Sequence, residues 1–156
     1  MALAKLRELR PHVVRFWETG AESAEMALNE EVDMLGTWVG RLDAAIEQGA
    51  PYNFTYEGAV FDVECLVVPA AAKNPALATR AIDLFVSPEL QANLPQHLPY
   101  SPVNTEALKS GGIMAEMRLY SNAAPENLAR QVILDKAYWA DQGRADEDLW
   151  AKFMVE

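Results

Sequence analysis

The stretch from Val60 to Val68 places the tightest constraint on the fold. It is apolar except at Asp62 and Glu64 and rich in β-branched residues, which reads as a strand. Side chains alternate across a strand, so Phe61, Val63, Cys65 and Val67 take one face and Asp62, Glu64, Leu66 and Val68 the other. Two carboxylates therefore share a face. Leaving such acids in apolar surroundings is costly unless a cation or a main-chain donor meets them.

Around this strand the chain alternates between strand-like and helical segments. Leu3, Leu6 and Leu9 are spaced as one face of a helix that Pro11 stops. His12 to Trp17 reads as a short strand, Ser23 as the cap of a helix through about Asn29, and Val32 to Leu35 as a buried strand. After Gly36, Thr37 is placed to cap a helix over 38–48 with Leu42, Ala45 and Ile46 on one face and Gly49 as its stop. Asn74-Pro75 and Ser87-Pro88 are each a cap followed by proline at the first helical position. The first opens a helix whose Leu77, Ala81, Leu84 and Phe85 form a core-facing stripe. Leu94 to Asn104, with three prolines, is a loop, and Asn104 caps a short helix ended by Gly111-Gly112. From Pro125 the chain reads as helical to its end with an interruption near Gly143, and Trp150, Phe153 and Met154 supply the last apolar face. The class is α/β.

Composition excludes several functions. With 156 residues, 51% of them hydrophobic, the chain can bury a core and is not a disordered segment. Its longest apolar run, Cys65 to Ala72, is too short to span a membrane. With 13 Lys+Arg against 23 Asp+Glu and scattered basic residues, nucleic acid is not an expected partner. The single Cys65 and the widely separated His12 and His97 give neither a disulfide framework nor a zinc spacing, so no metal or cofactor is expected. The acidic stretch from Glu18 to Asp33 reads as a solvated face.

Four motifs then occur in a recognisable order. They are Glu31-Val-Asp-Met-Leu-Gly-Thr-Trp38-Val-Gly40-Arg41, Glu57-Gly58-Ala-Val-Phe61-Asp-Val-Glu64, Asn74-Pro through Gln91, and Leu98-Pro-Tyr100-Ser-Pro-Val-Asn104. Together with Tyr138-Trp139 and Leu149-Trp150 the chain resembles the bacterial extracellular solute-binding proteins of the spermidine/putrescine-binding group, the receptors of ABC importers. The resemblance implies the second half of a type II periplasmic-binding-protein-like fold of two lobes, with a mixed sheet flanked by helices. It divides the chain into 1–59, mainly strand–helix units of the ligand lobe; 60–105, a crossing strand and helices of the other lobe; and 106–156, return and C-terminal helices. It further implies a periplasmic protein with a signal peptide in a portion preceding Met1, an inner-membrane ABC permease as partner, and no enzymatic activity. A half receptor would also leave apolar surface uncovered, so self-association is expected.

Five residues are candidates for the ligand site. Trp38 lies in the first turn of a helix, where open α/β sheets place ligands, and is either a core tryptophan or a ligand aromatic. The resemblance implies that it packs against the methylene chain of the ligand. Arg41 is one turn further on the same face and can pair with a carboxylate or remain solvated. The resemblance places the amine-binding acid at Glu64, an aromatic where this chain has Asp62, and a pocket-lining tyrosine at Tyr100. A polyamine site wants acids and aromatics and no arginine. Arg41 and Asp62 therefore tilt the expected solute toward an ω-amino acid of the γ-aminobutyrate type, ahead of putrescine or spermidine. Two other classes compete with a receptor: an enzyme using Asp62 and Glu64 as acid and base, and a cytosolic interaction module without a small ligand.

Overall fold

The computed structural model describes residues 2–109 and 121–156. Helix α1 (Ala2–Leu9) is followed by a 3-10 turn containing Pro11, then by α2 (Gly20–Leu28) and α3 (Val39–Glu47). Strand β1 (Val60–Phe61) leads to α4 (Pro75–Phe85), α5 (Pro88–Gln91) and α6 (Thr105–Lys109). Then come α7 (Pro125–Leu128), β2 (Val132–Ile133) and the long α8 (Lys136–Met154). The proposed glycine stop at 111–112 lies outside the described residues.

The helices begin where their capping chemistry says they should. Asn74 Oδ1 accepts the Leu77 N–H at 3.0 Å, with Pro75 at the first helical position, and Ser87 does the same for α5. Helix α3 matches the expected span to within one residue at each end, and Gly49 beyond it takes φ +102°, the left-handed stop that favours glycine. Two caps differ. Thr19, not Ser23, caps α2, accepting from Glu22 N, while Ser23 is buried and donates to the Gly20 carbonyl at 3.0 Å. Thr37 spends its hydroxyl on Ser23 Oγ at 2.7 Å, so α3 starts from Trp38 without a side-chain cap.

The strands are the main correction. Of the nine residues from Val60 to Val68, Val60 and Phe61 alone are in a ladder, parallel to Val132 and Ile133, and this two-stranded sheet replaces the expected mixed one among the described residues. A strand exists only where a neighbour accepts its hydrogen bonds, and among the described residues no ladder bond follows Leu134 N to Phe61 O at 2.9 Å. Neither the 12–17 segment nor Val32 to Leu35 pairs with a strand. Met34 is 90% exposed, and the Val32 carbonyl is taken by the Tyr52 hydroxyl. The break in the last helical region falls at β2, not near Gly143, which is buried within α8 beneath Trp139.

Two clusters hold the molecule. Ala27, Leu42, Ala45 and Ala50, flanked by Leu35, Ile46, Tyr52 and Phe54, join α2 to α3. At the termini, fully buried Phe153 sits against Phe16 and Trp150, with ring centroids 5.9 and 5.3 Å away, and under the Arg10 guanidinium at 4.8 Å. Arg10 also donates to the carbonyls of Phe153 and Met154, capping the end of α8. The stripe on α4 forms as a helix face but is not core: Leu77, Leu84 and Phe85 are about three-fifths exposed. Truncating Phe153 removes the ring that ties Arg10 and Phe16, in the segment after α1, to α8. Phe153→Ala is expected to cost about 3–5 kcal/mol, read from the midpoint shift of urea unfolding.

Candidate functional site

Helix α3 builds the site, because the residues at its start meet two neighbours, one on each side. On one side Trp38 and Arg41 close over Gly20, the first residue of α2. A methyl group at position 20 would lie 2.7 Å from Arg41 Nε and 2.8 Å from the Trp38 ring, so this approach requires glycine. Trp17 extends the cluster, edge-on to Trp38 with centroids 5.3 Å apart and its indole N–H on the Gly36 carbonyl at 2.6 Å. On the other side Tyr100 seats its hydroxyl against Gly40, where a Cβ would come within 2.7 Å of it.

Tyr100 comes from a loop fixed by polar pins. Ser101 N donates to Asn122 Oδ1 at 3.2 Å, Ala123 N to Ser101 Oγ at 2.8 Å, Val103 N to Gln91 Oε1 at 2.8 Å and Asn104 Nδ2 to the Val86 carbonyl at 2.8 Å. These bonds satisfy the loop's main-chain and side-chain polar groups and, with buried Pro102, fix its shape.

Trp38, Arg41 and Tyr100 are thus gathered around one helical turn. Trp38 is 55% exposed, which is not a core tryptophan, and among the described residues no carboxylate pairs with the Arg41 guanidinium. The start of α2, at Gly20, lies under Trp38 and Arg41 of the start of α3, and helix N-termini favour negative charge. Asp62 and Glu64 are not gathered with them. The Asp62 carboxylate is bound by the Lys136 ammonium, at the start of α8, and accepts Val63 N at 2.6 Å. These bonds hold its pKa below the usual carboxylate range, the lysine contributing most. Both acids are exposed, so the cost of burial that singled them out does not arise. A groove of about 350 Å³ lined by Glu30, Val32, Asp33, Pro51, Tyr52 and Asn53 follows the opposite end of α3 and contains none of the five residues.

Sequence reasoning passed over four participants: Trp17, Gly20, Gly40 and Tyr56. Nothing local marks a glycine that another element will cover. Tyr56 is 8% exposed and stacks edge-on against Phe54 at 5.6 Å. Burial, with lesser contributions from Asp43 and Tyr100, pushes its phenol up to about 12.

A family model for bacterial extracellular solute-binding proteins matches residues 1–119. The chain belongs to this family. It is 28% identical over 144 residues to the spermidine/putrescine-binding periplasmic protein 1 of Haemophilus influenzae, covering 90% of this chain and 37% of that protein. The crystal structure of an ABC transporter substrate-binding protein from Bradyrhizobium japonicum USDA 110 superposes with a TM-score of 0.94 at 36% identity, over 98% of this chain and 48% of that one. The periplasmic binding protein MotA from A. tumefaciens B6, solved in complex with glucopine, gives 0.83 at 30% identity over 97% and 47%. The chain therefore spans about half the length of these structural relatives or less, and its α/β arrangement is that of half a periplasmic binding protein.

The raised Tyr56 pKa carries a pH consequence for the stability of the chain. The unfolded chain releases that proton near pH 10.0 and the folded chain near 12, so between them the folded state holds more protons. Stability present below pH 10 is lost as pH rises through 12. Unfolding midpoints are expected to fall across this window in the parent protein and to fall less in Tyr56→Phe.

Proposed function

We propose that this chain is part of the receptor of an ABC importer and helps capture a small amine-bearing solute, which the closed receptor delivers to a membrane permease from the periplasm. The observation that carries the reading is the convergence of Trp38 and Arg41 over Gly20, with Tyr100 one residue away on Gly40. An exposed indole and an unpaired guanidinium at two helix N-termini suit a ligand with a short methylene chain and a carboxylate. Support also comes from relatives named for spermidine and putrescine and from a relative solved with glucopine. Binding needs no nucleophile, and the solute leaves unchanged.

The favoured solute is an ω-amino acid of the γ-aminobutyrate type. Arg41 takes its carboxylate, Trp38 and Tyr100 shape the apolar space, and Glu64 is the acid of the Val60 to Val68 segment left for its ammonium, since Asp62 is occupied by Lys136. Putrescine or spermidine is the second reading, favoured by the names of the relatives and opposed by the charge on Arg41. Calorimetry on the full-length protein separates them. Arg41→Ala is expected to cost γ-aminobutyrate about 2–4 kcal/mol of binding and to leave putrescine unweakened. Putrescine binding tenfold more tightly than γ-aminobutyrate would reject the zwitterion.

The division at 59/60 and 105/106 belongs to the same proposal, with the Val60 to Val68 segment passing between lobes. That segment exposes Val60, Val63, Leu66 and Val67, and nearby β2 exposes Val132 and Ile133. Apolar surface of this kind is sticky in water. Residues 1–156 alone are expected to self-associate at micromolar concentration in light scattering; a clean monomer with a cooperative melt would count against the assignment of this face to an inter-lobe contact.

A further inference from the structure

Trp38 is the residue from which α3 starts, and nothing inside that helix fixes its ring. Its backbone is extended, at φ −73° and ψ 131°, and it begins the helix without a side-chain cap. An indole more than half exposed at such a place ordinarily turns among several rotamers, and a solute that needs one of them must order it on binding. Neighbours from outside α3 remove that freedom.

The main chain before the ring is pinned at two successive residues. The Trp17 indole N–H donates to the Gly36 carbonyl at 2.6 Å, and the Thr37 hydroxyl donates to Ser23 Oγ at 2.7 Å. Ser23 is fully buried and donates in turn to the Gly20 carbonyl at 3.0 Å, so its hydroxyl is used as donor and as acceptor. Residues 36 and 37 are thus tied to chain on both sides of Gly20, the residue over which Trp38 lies. The ring is held as well. Trp17 meets it edge-on, with centroids 5.3 Å apart and planes at 74°, and the Cε3–Cζ3 edge of Trp38 rests on Gly20. Trp17 therefore acts twice, on the main chain two residues before Trp38 and on the Trp38 ring itself.

We infer that Trp17 is a positioning residue for solute capture: it holds the Trp38 indole beside Arg41 before a solute arrives, so that the exposed part of the ring is ready for the apolar stretch of a small amine. This rests on the functional reading above, in which Trp38 shapes the apolar space of the site. Trp17 is half-buried and its N–H is spent on Gly36, so it acts through Trp38.

Calorimetry and circular dichroism on the full-length protein test this, with γ-aminobutyrate and putrescine as probes. Two indoles in edge contact couple their transitions and give paired bands of opposite sign in the far ultraviolet. These bands are expected to disappear alike in Trp17→Phe and in Trp38→Phe. Trp17→Ala is expected to weaken whichever probe the parent binds by about fivefold or more, and Trp17→Phe, which keeps an aromatic edge, to stay within about threefold. In Trp38→Leu, where no ring is left to hold, Trp17→Ala is expected to cost less than about a further twofold. Thr37→Val frees the same segment from Ser23 and touches neither ring; it is expected to weaken binding about twofold or more, and it decides the matter if Trp17→Ala does not fold. Affinity unchanged in Trp17→Ala while Trp38→Leu loses it would overturn the positioning role and spare the receptor reading. Equal losses from Trp17→Ala with and without the Trp38 ring would also overturn it, because Trp17 would then act independently of Trp38. If the parent protein binds neither probe, the receptor reading falls and the positioning role with it.

Discussion

The close approach of α3 to α2 is the constraint on which the site depends. Gly20 has no side chain, so Trp38 and Arg41 can lie directly on the start of α2, and Gly40 gives Tyr100 the same access to α3. Either glycine replaced by a larger residue would push an aromatic ring outward and open the cluster. The core below is built of small residues for the same reason: Ala27, Ala45 and Ala50 leave room for two helices to touch, and Leu42 fills the remainder. Small residues at the contact thus set the spacing, and the spacing sets which functional groups meet.

Charge is distributed to keep the site open. Most acids are either solvated or tied to a specific base: Arg15 bridges Glu22 and Glu31 at 3.4 and 3.2 Å, Arg7 holds Glu156, and Lys136 holds Asp62. Such exposed pairs contribute little stability each, but they decide which carboxylates remain available. The Asp62 pair also links the end of β1 to the start of α8, joining segments far apart in sequence. Arg41 is left out of these pairings, and in a protein with ten more acids than bases an unpaired arginine beside a tryptophan stands apart.

How much was legible depended on how local each signal is. Asn74-Pro75, Ser87-Pro88 and the glycine after α3 are complete statements within a few residues, and the helices they bound are where they were expected. Trp38 and Arg41 on one face follow from the period of the helix, and their meeting over Gly20 agrees with it. Strands could not be read the same way. Val60 to Val68 has strand composition throughout, yet only two of its residues meet a partner, and that partner, Val132 and Ile133, lies in a region whose pattern reads as helix.

The amino-acid sequence by itself therefore determined the starts of α4 and α5, the span of α3, the α/β class and, through motif order, the family. These depend on interactions within a turn or two of the chain. The tertiary structure alone decided where the strands pair, that Asp62 belongs to Lys136, and that Trp38 and Arg41 lie over Gly20 and Tyr100 against Gly40. Each of these is a contact between residues distant along the chain, and no local propensity specifies which distant group arrives to accept a hydrogen bond, cover a glycine or neutralise a charge.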